Sequence, residues 1–189
     1  MKRSLITLAL TAALLAPALA QVDVAKSSVP QGFPSVIVAI SKQMGVPVEG
    51  KFKRFTAQIS FDPAKPAEGK ASVDIDIASF DLGADDFNRE TVKPEWFNAA
   101  KFPKATFVTS AIKPAGPGKF EAAGKLTIKG ITRDVVAPVS FKAEGGQQVF
   151  EGVLPIKRLA FNIGEGEWKD TSTVADDVQI RFRIVTARK

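Results

Sequence analysis

The 189-residue chain has no cysteine, no histidine and no tyrosine. Without Cys or His there is no thiolate nucleophile, no Ser-His-Asp triad, no structural zinc finger and no His-ligated haem or copper. The usual proton-transfer group near pH 7 is missing too, so acid–base chemistry would fall to a perturbed carboxylate or lysine. No disulfide can brace the fold, which rests on its core alone. What is present, 45% hydrophobic and 24% charged residues with 14 Gly and 12 Pro, fits one ordinary globular domain. The balance leans towards binding and away from catalysis.

Residues 1–20 read as an export signal. Met1-Lys2-Arg3 is a basic start, Leu5 to Leu15 is an apolar run, and Ala18-Leu19-Ala20 is a small-x-small cleavage pattern ahead of Gln21. The run is too short to span a bilayer, although an uncleaved anchor is the alternative. No Cys follows the site, which excludes a lipoprotein anchor. Removal takes Lys2 and Arg3 and no acid, leaving 24 basic against 20 acidic residues, a net charge of +4. That merely keeps a domain soluble. Lys51, Lys53 and Arg54, the densest basic cluster, have the spacing of a strand's solvent side. Nucleic-acid binding would need a basic stripe interleaved with stacking aromatics. At most, peripheral contact with anionic lipid headgroups is compatible with this charge.

Residues 21–189 form a single domain whose pattern is dominated by period-two alternation, the mark of half-buried strands. Val178, Ile180, Phe182 and Ile184 share one face, with Gln179, Arg181 and Arg183 on the other. Val73, Ile75 and Ile77 alternate with Asp74 and Asp76; Val36, Val38 and Ile40 open the series; Val135, Val139 and Phe141 alternate with Asp134, Ser140 and Lys142. Further strands are expected over 48–61, 104–112, 119–128 and 149–155. The phase slips between Phe52 and Phe55, which predicts a bulge or bend. Pro- and Gly-rich turns separate the runs. Eight or so antiparallel strands make an up-and-down barrel or a sandwich. Residues 84–100 lack alternation; Asp85 and Asp86 suit a helix start, and Pro94 can begin a second turn. This segment is either a plug on one barrel end or a lid over a cavity. A transmembrane barrel would need outward apolar faces and aromatic girdles, whereas the faces opposite the apolar ones carry Asp, Lys, Arg and Gln.

Catalysis would need paired carboxylates, for which Asp74/Asp76, Asp85/Asp86, Asp176/Asp177 and the Glu165, Glu167, Asp170 cluster are available. The first pair lies on a strand's outer face, the second begins a helix and the third caps a turn. The cluster lacks the spacing of a Ca²⁺ loop. No metal site is expected. The 14 Phe residues either fill a core or line a tube wide enough for one slender ligand.

Particular stretches resemble the YceI-like family. They are Gly50-Lys51-Phe52-Lys53-Arg54-Phe55, Ile59-Ser60-Phe61-Asp62-Pro63, residues 72–79, Glu95-Trp96-Phe97-Asn98, Lys101-Phe102-Pro103-Lys104-Ala105-Thr106-Phe107, residues 124–132, Arg158-Leu159-Ala160-Phe161-Asn162-Ile163-Gly164 with Trp168, and residues 174–180. The resemblance implies an eight-stranded antiparallel lipocalin-like barrel, to which the 84–100 segment adds a short helical lid. It also implies a periplasmic or secreted, non-enzymatic and often dimeric protein that binds a polyprenyl lipid or quinone tail. Two departures stand out: Val38-Ala39-Ile40-Ser41-Lys42-Gln43-Met44 and Asn88-Arg89-Glu90-Thr91-Val92 lack the histidines common in the family. Residues expected to contact the tail are Val38, Phe52, Ile75, Ile77, Phe87, Phe97, Phe107, Phe161, Val178 and Phe182, with Arg89 and Lys93 expected at the headgroup. No cofactor is expected beyond a bound isoprenoid lipid or quinone. The competing expectation is a packed-core exported barrel acting as a protein-interaction or stress-related module without lipid.

Overall fold

The computed structural model describes residues 35–187; the expected signal segment, residues 1–20, lies outside them. The alternating runs become strands β1 (Val36–Gln43), β2 (Val46–Phe52), β3 (Phe55–Ser60), β4 (Lys70–Asp76), β5 (Phe80–Asp81), β6 (Lys104–Gly116), β7 (Lys119–Ile128), β8 (Ile131–Glu144), β9 (Gln147–Lys157) and β10 (Asp177–Ala187), with one helix, α1 (Asp85–Thr91). All ten strands belong to one curled antiparallel sheet, in the order β3-β4-β6-β7-β8-β9-β10-β1-β2-β5. A two-sheet sandwich is therefore not what forms.

Ten strands replace the expected eight for two local reasons. The 48–61 run breaks at Lys53-Arg54 into β2 and β3, where the phase slips, and the two-residue β5 pairs beside β2. Lys53 N–H donates to the Ser79 carbonyl (3.1 Å), Arg54 N–H to Ser79 Oγ (3.0 Å), and Asp76 N–H to the Arg54 carbonyl (3.0 Å). The chain thus leaves the β1–β2 ladder and enters the β3–β4 ladder without losing backbone partners. β2 and β3 lie near opposite ends of the sheet order, so this two-residue corner ties the two ends together covalently.

The hairpins explain why the register holds. Met44-Gly45, Lys129-Gly130 and Gly145-Gly146 are each two-residue turns with positive φ at both positions, the turn whose twist matches that of the flanking strands. Lys129 has no glycine freedom at φ 50°. Its side chain is 6% exposed and is held by the Asn162 carbonyl and Glu165 Oε2, both at 2.7 Å.

α1 begins with Asp85 and Asp86 and has Arg89 in its last turn, as the helix dipole favours. The turns that follow carry Phe97 against Phe52 and Phe80, with ring centroids 6.4 and 5.5 Å apart. Trp96 lies 5.4 Å from Trp168. The Glu95 carbonyl accepts from Gly164 N–H (2.9 Å) and Glu165 N–H (2.8 Å). The 93–102 segment therefore packs on one end of the sheet.

That end is organised by Arg158, which is 2% exposed. Its Nε donates to the Ala175 carbonyl (3.1 Å), Nη1 to Ile163 (2.7 Å) and Gly164 (3.2 Å), and Nη2 to Trp168 (2.6 Å) and Val174 (2.7 Å). Five N–H donors meet five backbone carbonyls, the full capacity of a guanidinium. Burial pushes its pKa below the ordinary value, but arginine stays charged. A Cβ on Gly164 would come within 2.1 Å of Arg158 Nη1, and its φ is +79°, so glycine is required there twice over. Arg158→Leu should lower stability by about 3 kcal/mol or more, because several carbonyls lose their donor at roughly 1 kcal/mol each. Arg158→Lys, with three donors, should recover only part. Urea midpoints of the two variants test this, and a negligible shift for Arg158→Leu would refute it.

Candidate functional site

The inward faces of the strands enclose an apolar cavity of about 120 Å³. Its wall comes from nearly every strand: Ile37 on β1, Ile59 on β3, Ala71, Val73 and Ile75 on β4, Phe107, Thr109 and Ile112 on β6, Phe120, Ala122 and Leu126 on β7, Ala137 and Val139 on β8, Phe150 and Leu154 on β9, Ile180, Phe182 and Ile184 on β10, with Phe61 just past β3. Thr109 is the single hydroxyl among them, and it is spent. Its Oγ1 accepts from Ala71 N–H (2.8 Å) and donates to the Ala71 carbonyl (3.2 Å), at the bulge where β6 slips against β7. The lumen therefore presents no free hydrogen-bonding side chain, and such a void stays dry and takes apolar guests.

Small inward residues make the room. Ala71, Ala122 and Ala137 line the cavity, and two inward glycines let aromatic rings lie flat against the wall. The Phe107 ring covers Gly124, where a Cβ would stand 2.9 Å from it, and the Phe182 ring covers Gly152, where the separation would be 2.6 Å. At one end Phe61 sits edge-on to Phe120, Phe141 and Phe150 at 4.9, 5.2 and 5.7 Å between centroids.

Of the residues expected at the tail, Ile75, Phe107 and Phe182 line this cavity. Phe52, Ile77 and Phe161 are buried in the packed core beyond it, and Phe97 stacks on Phe52. Val178 has inward parity opposite Ile156, outside the lining set. Two placements correct the sequence reading. Val38 stands opposite Lys51 and Arg181 and faces away from the lumen, which its neighbour Ile37 lines. β1 is apolar on both faces, so alternation there could not select the inner one. Phe87 is 60% exposed on the outer side of α1, since the ring that packs inward is Phe97. Arg89 pairs with Asp86 and Lys93 with Glu90 on the helix segment itself, and neither borders the cavity. Small residues carry no chemical signature, so only inward parity on β7 and β8 marks Ala122 and Ala137 in the sequence.

The acids are engaged elsewhere. Asp76 holds Arg54, Asp74 faces Lys104 at 3.7 Å, Asp176 caps Leu159 N–H, and Asp177 pairs with Lys157. Ser172 holds the Asp170 carboxyl below its ordinary value, and Lys129 does the same to Glu165. No group of three acids able to hold a metal occurs among the described residues.

This geometry defines a class: single-sheet, curled antiparallel β proteins that enclose an apolar lumen. Residues 21–186 match the YceI-like domain, and the chain belongs to that family. It is 31% identical over 146 residues to a UPF0312 protein of Ectopseudomonas mendocina, covering 74% of each chain. The crystal structure of Burkholderia cenocepacia BcnA is similar at 54% identity and a TM-score of 0.80, covering 88% of this chain and 100% of that one. A Campylobacter jejuni YCEI protein aligns with a TM-score of 0.68 at 30% identity, over 75% of this chain and 85% of that one. A polyisoprenoid binding domain from Saccharophagus degradans, implicated in plant cell wall breakdown, shares the fold at 15% identity with a TM-score of 0.64, over 82% and 94% of the two chains.

Acid should loosen the end that these carboxylates hold. Asp81, bonded by Lys53, Asn88 and the Gly83 N–H, has its pKa lowered from 3.8 to about 2. A carboxylate held down in this way adds stability that is whole above its ordinary value and fades as pH falls through the folded one. Melting temperature should therefore drop between about pH 4.5 and pH 2. Asp81→Asn should melt lower at pH 7 and converge on the parent near pH 2. Parallel curves across the whole range would contradict the assignment.

Proposed function

We propose that the protein is an exported, non-enzymatic carrier that sequesters the apolar tail of an isoprenoid lipid, a polyprenyl lipid or a quinone, in its lumen. The observation that carries this reading is a wall from nearly every strand whose one hydroxyl is already bonded within the protein. Burying a hydrocarbon there is favourable by about 0.8 kcal/mol per CH₂, so strong binding needs few polar contacts. The polyisoprenoid binding domain of Saccharophagus degradans, which shares the fold, supports the ligand class.

Taking β2 and β3 as one bent strand and leaving aside the short β5, the sheet is an eight-stranded lipocalin-like barrel, with residues 84–100 as its lid. Residues 1–20 act as the export signal, which places residues 21–189 in the periplasm or outside the cell. Ile75, Phe107 and Phe182, which line the lumen, are tail contacts. An apolar void of about 150 Å³ takes up benzene, so the lumen as it stands holds a short stretch of chain. A longer tail requires rings such as Phe61 and Phe150 to turn aside. The small lumen is also what favours the second reading, a packed barrel that binds protein partners.

Native mass spectrometry of protein recovered from its compartment, followed by organic extraction, separates the two. A stoichiometric isoprenoid adduct is expected; a bare mass with no uptake of added octaprenol would leave the packed barrel. Ala137→Leu should fill the lumen, keep or raise the stability of the empty protein by about 1–2 kcal/mol, and abolish lipid uptake. Undiminished uptake by that folded variant would remove the lumen as the site.

A further inference from the structure

A second hollow, of about 640 Å³, lies outside the 58–72 stretch and shares Ile59, Phe61, Ala71 and Thr109 with the lumen. The apolar lumen and this partly polar groove therefore share one wall, at the end opposite the Arg158 turns. Charge in the groove is balanced: Lys65 and Lys70 are offset by Asp62 and Glu68, and Lys65 already leans on Glu68 at 3.9 Å.

Two hydrogen-bonding side chains stand beside the shared wall: Gln148 in the groove's lining, and Thr186 next to it in the sheet, in the lining of neither hollow. Gln148 borders the groove, and its Nε2 donates to the Phe61 carbonyl at 3.1 Å. Directly opposite Gln148 in the β9–β10 register is Thr186. It follows the lumen-lining Ile184 on the same face of β10, and the next residue, Ala187, borders the groove. Thr186 is 4% exposed, and its Oγ1 has no hydrogen-bond partner. A buried hydroxyl left without a partner is costly in a folded protein. Its ladder neighbours line the lumen (Ile184) and the groove (Gln148, Ala187), so a ligand's polar end brought to that wall would satisfy it.

We infer that the lipid's polar end is uncharged, a hydroxyl or carbonyl, and that it sits at this shared wall, bonded by Thr186 and Gln148, with the tail running inward past Phe61. A phosphate is disfavoured because the groove's two lysines are matched by two acids and Thr186 and Gln148 offer only neutral groups. This rests on the carrier reading and moves the headgroup away from Arg89 and Lys93, whose charges are satisfied on their own helix segment.

Three probes with isoprenoid chains test it: octaprenol, octaprenyl phosphate and squalene, which has no head. The intact mature protein should bind octaprenol about tenfold more tightly than octaprenyl phosphate, a difference of about 1.4 kcal/mol. Thr186→Val removes the hydroxyl with its shape kept. It should weaken octaprenol binding by about threefold to tenfold, leave squalene unchanged, and not lower the melting temperature of the empty protein. Arg89→Ala with Lys93→Ala should change none of these affinities. Tighter binding of the phosphate, or equal effects of Thr186→Val on octaprenol and squalene, would overturn the headgroup assignment while leaving the carrier intact. Failure of all three probes to bind would overturn the carrier reading and the headgroup assignment with it.

Discussion

Arg158 is the constraint on which one whole end of the molecule depends. Its five N–H groups gather carbonyls from residues 163 to 175, the connection that carries the chain from β9 round to β10. Among the described residues no carboxylate hydrogen-bonds it, and the charge is stabilised by oriented peptide dipoles together with the nearby Asp176 carboxylate. Were that connection loosely held, Trp168 would lose its place against Trp96, and the Glu95 carbonyl would lose the two amides that bind the 93–102 segment. The same satisfaction leaves this end without a spare donor on Arg158. Trp96 Nε1 at this end and Thr186 Oγ1 at the far end of β10 are buried without a hydrogen-bond partner among the described residues.

The lumen itself follows from how the sheet spends its small residues. A curled sheet with large side chains at every inward position would fill itself. Here Ala71, Ala122 and Ala137 withdraw volume from the centre, and Gly124 and Gly152 give the rings of Phe107 and Phe182 a flat surface to lie on. Thr109 interrupts the apolar wall only where a bulge leaves Ala71 in need of a partner. The outcome is an enclosure with few polar demands on its occupant and shape as the main restriction.

Much of this was legible in the residues. Alternation on β4, β8 and β10 showed which side chains face inward, because those strands pair apolar with charged positions. The phase slip between Phe52 and Phe55 marked the corner at Lys53-Arg54. On β1 the rule has nothing to discriminate: Val36 to Ile40 is apolar throughout, and it is Ile37, not Val38, that lines the lumen. Core and cavity could not be told apart either, since Ile77 and Phe161 obey the same apolar logic as Ile75 and Phe107 and differ only in what lies across from them. Arg158 carries no mark of its burial in the sequence; it looks like one more base in a turn. Thr186 is equally mute, because an unpaired hydroxyl is a property of its neighbours.

The position of β10 has a consequence for the order in which the molecule can be completed. This last strand pairs over its full length with β9 and also with β1, at the far beginning of the described chain. The β1–β2 hairpin has no other route to β9. Until β10 is in place, β3-β4-β6-β7-β8-β9 and β1-β2-β5 are separate ladders with β9 and β1 bare and the apolar side uncovered, a form that invites pairing with other chains. The single sheet forms only when β10 docks between β9 and β1. The pace of folding is then governed by a meeting of distant ends, which is slow compared with the closing of any single hairpin.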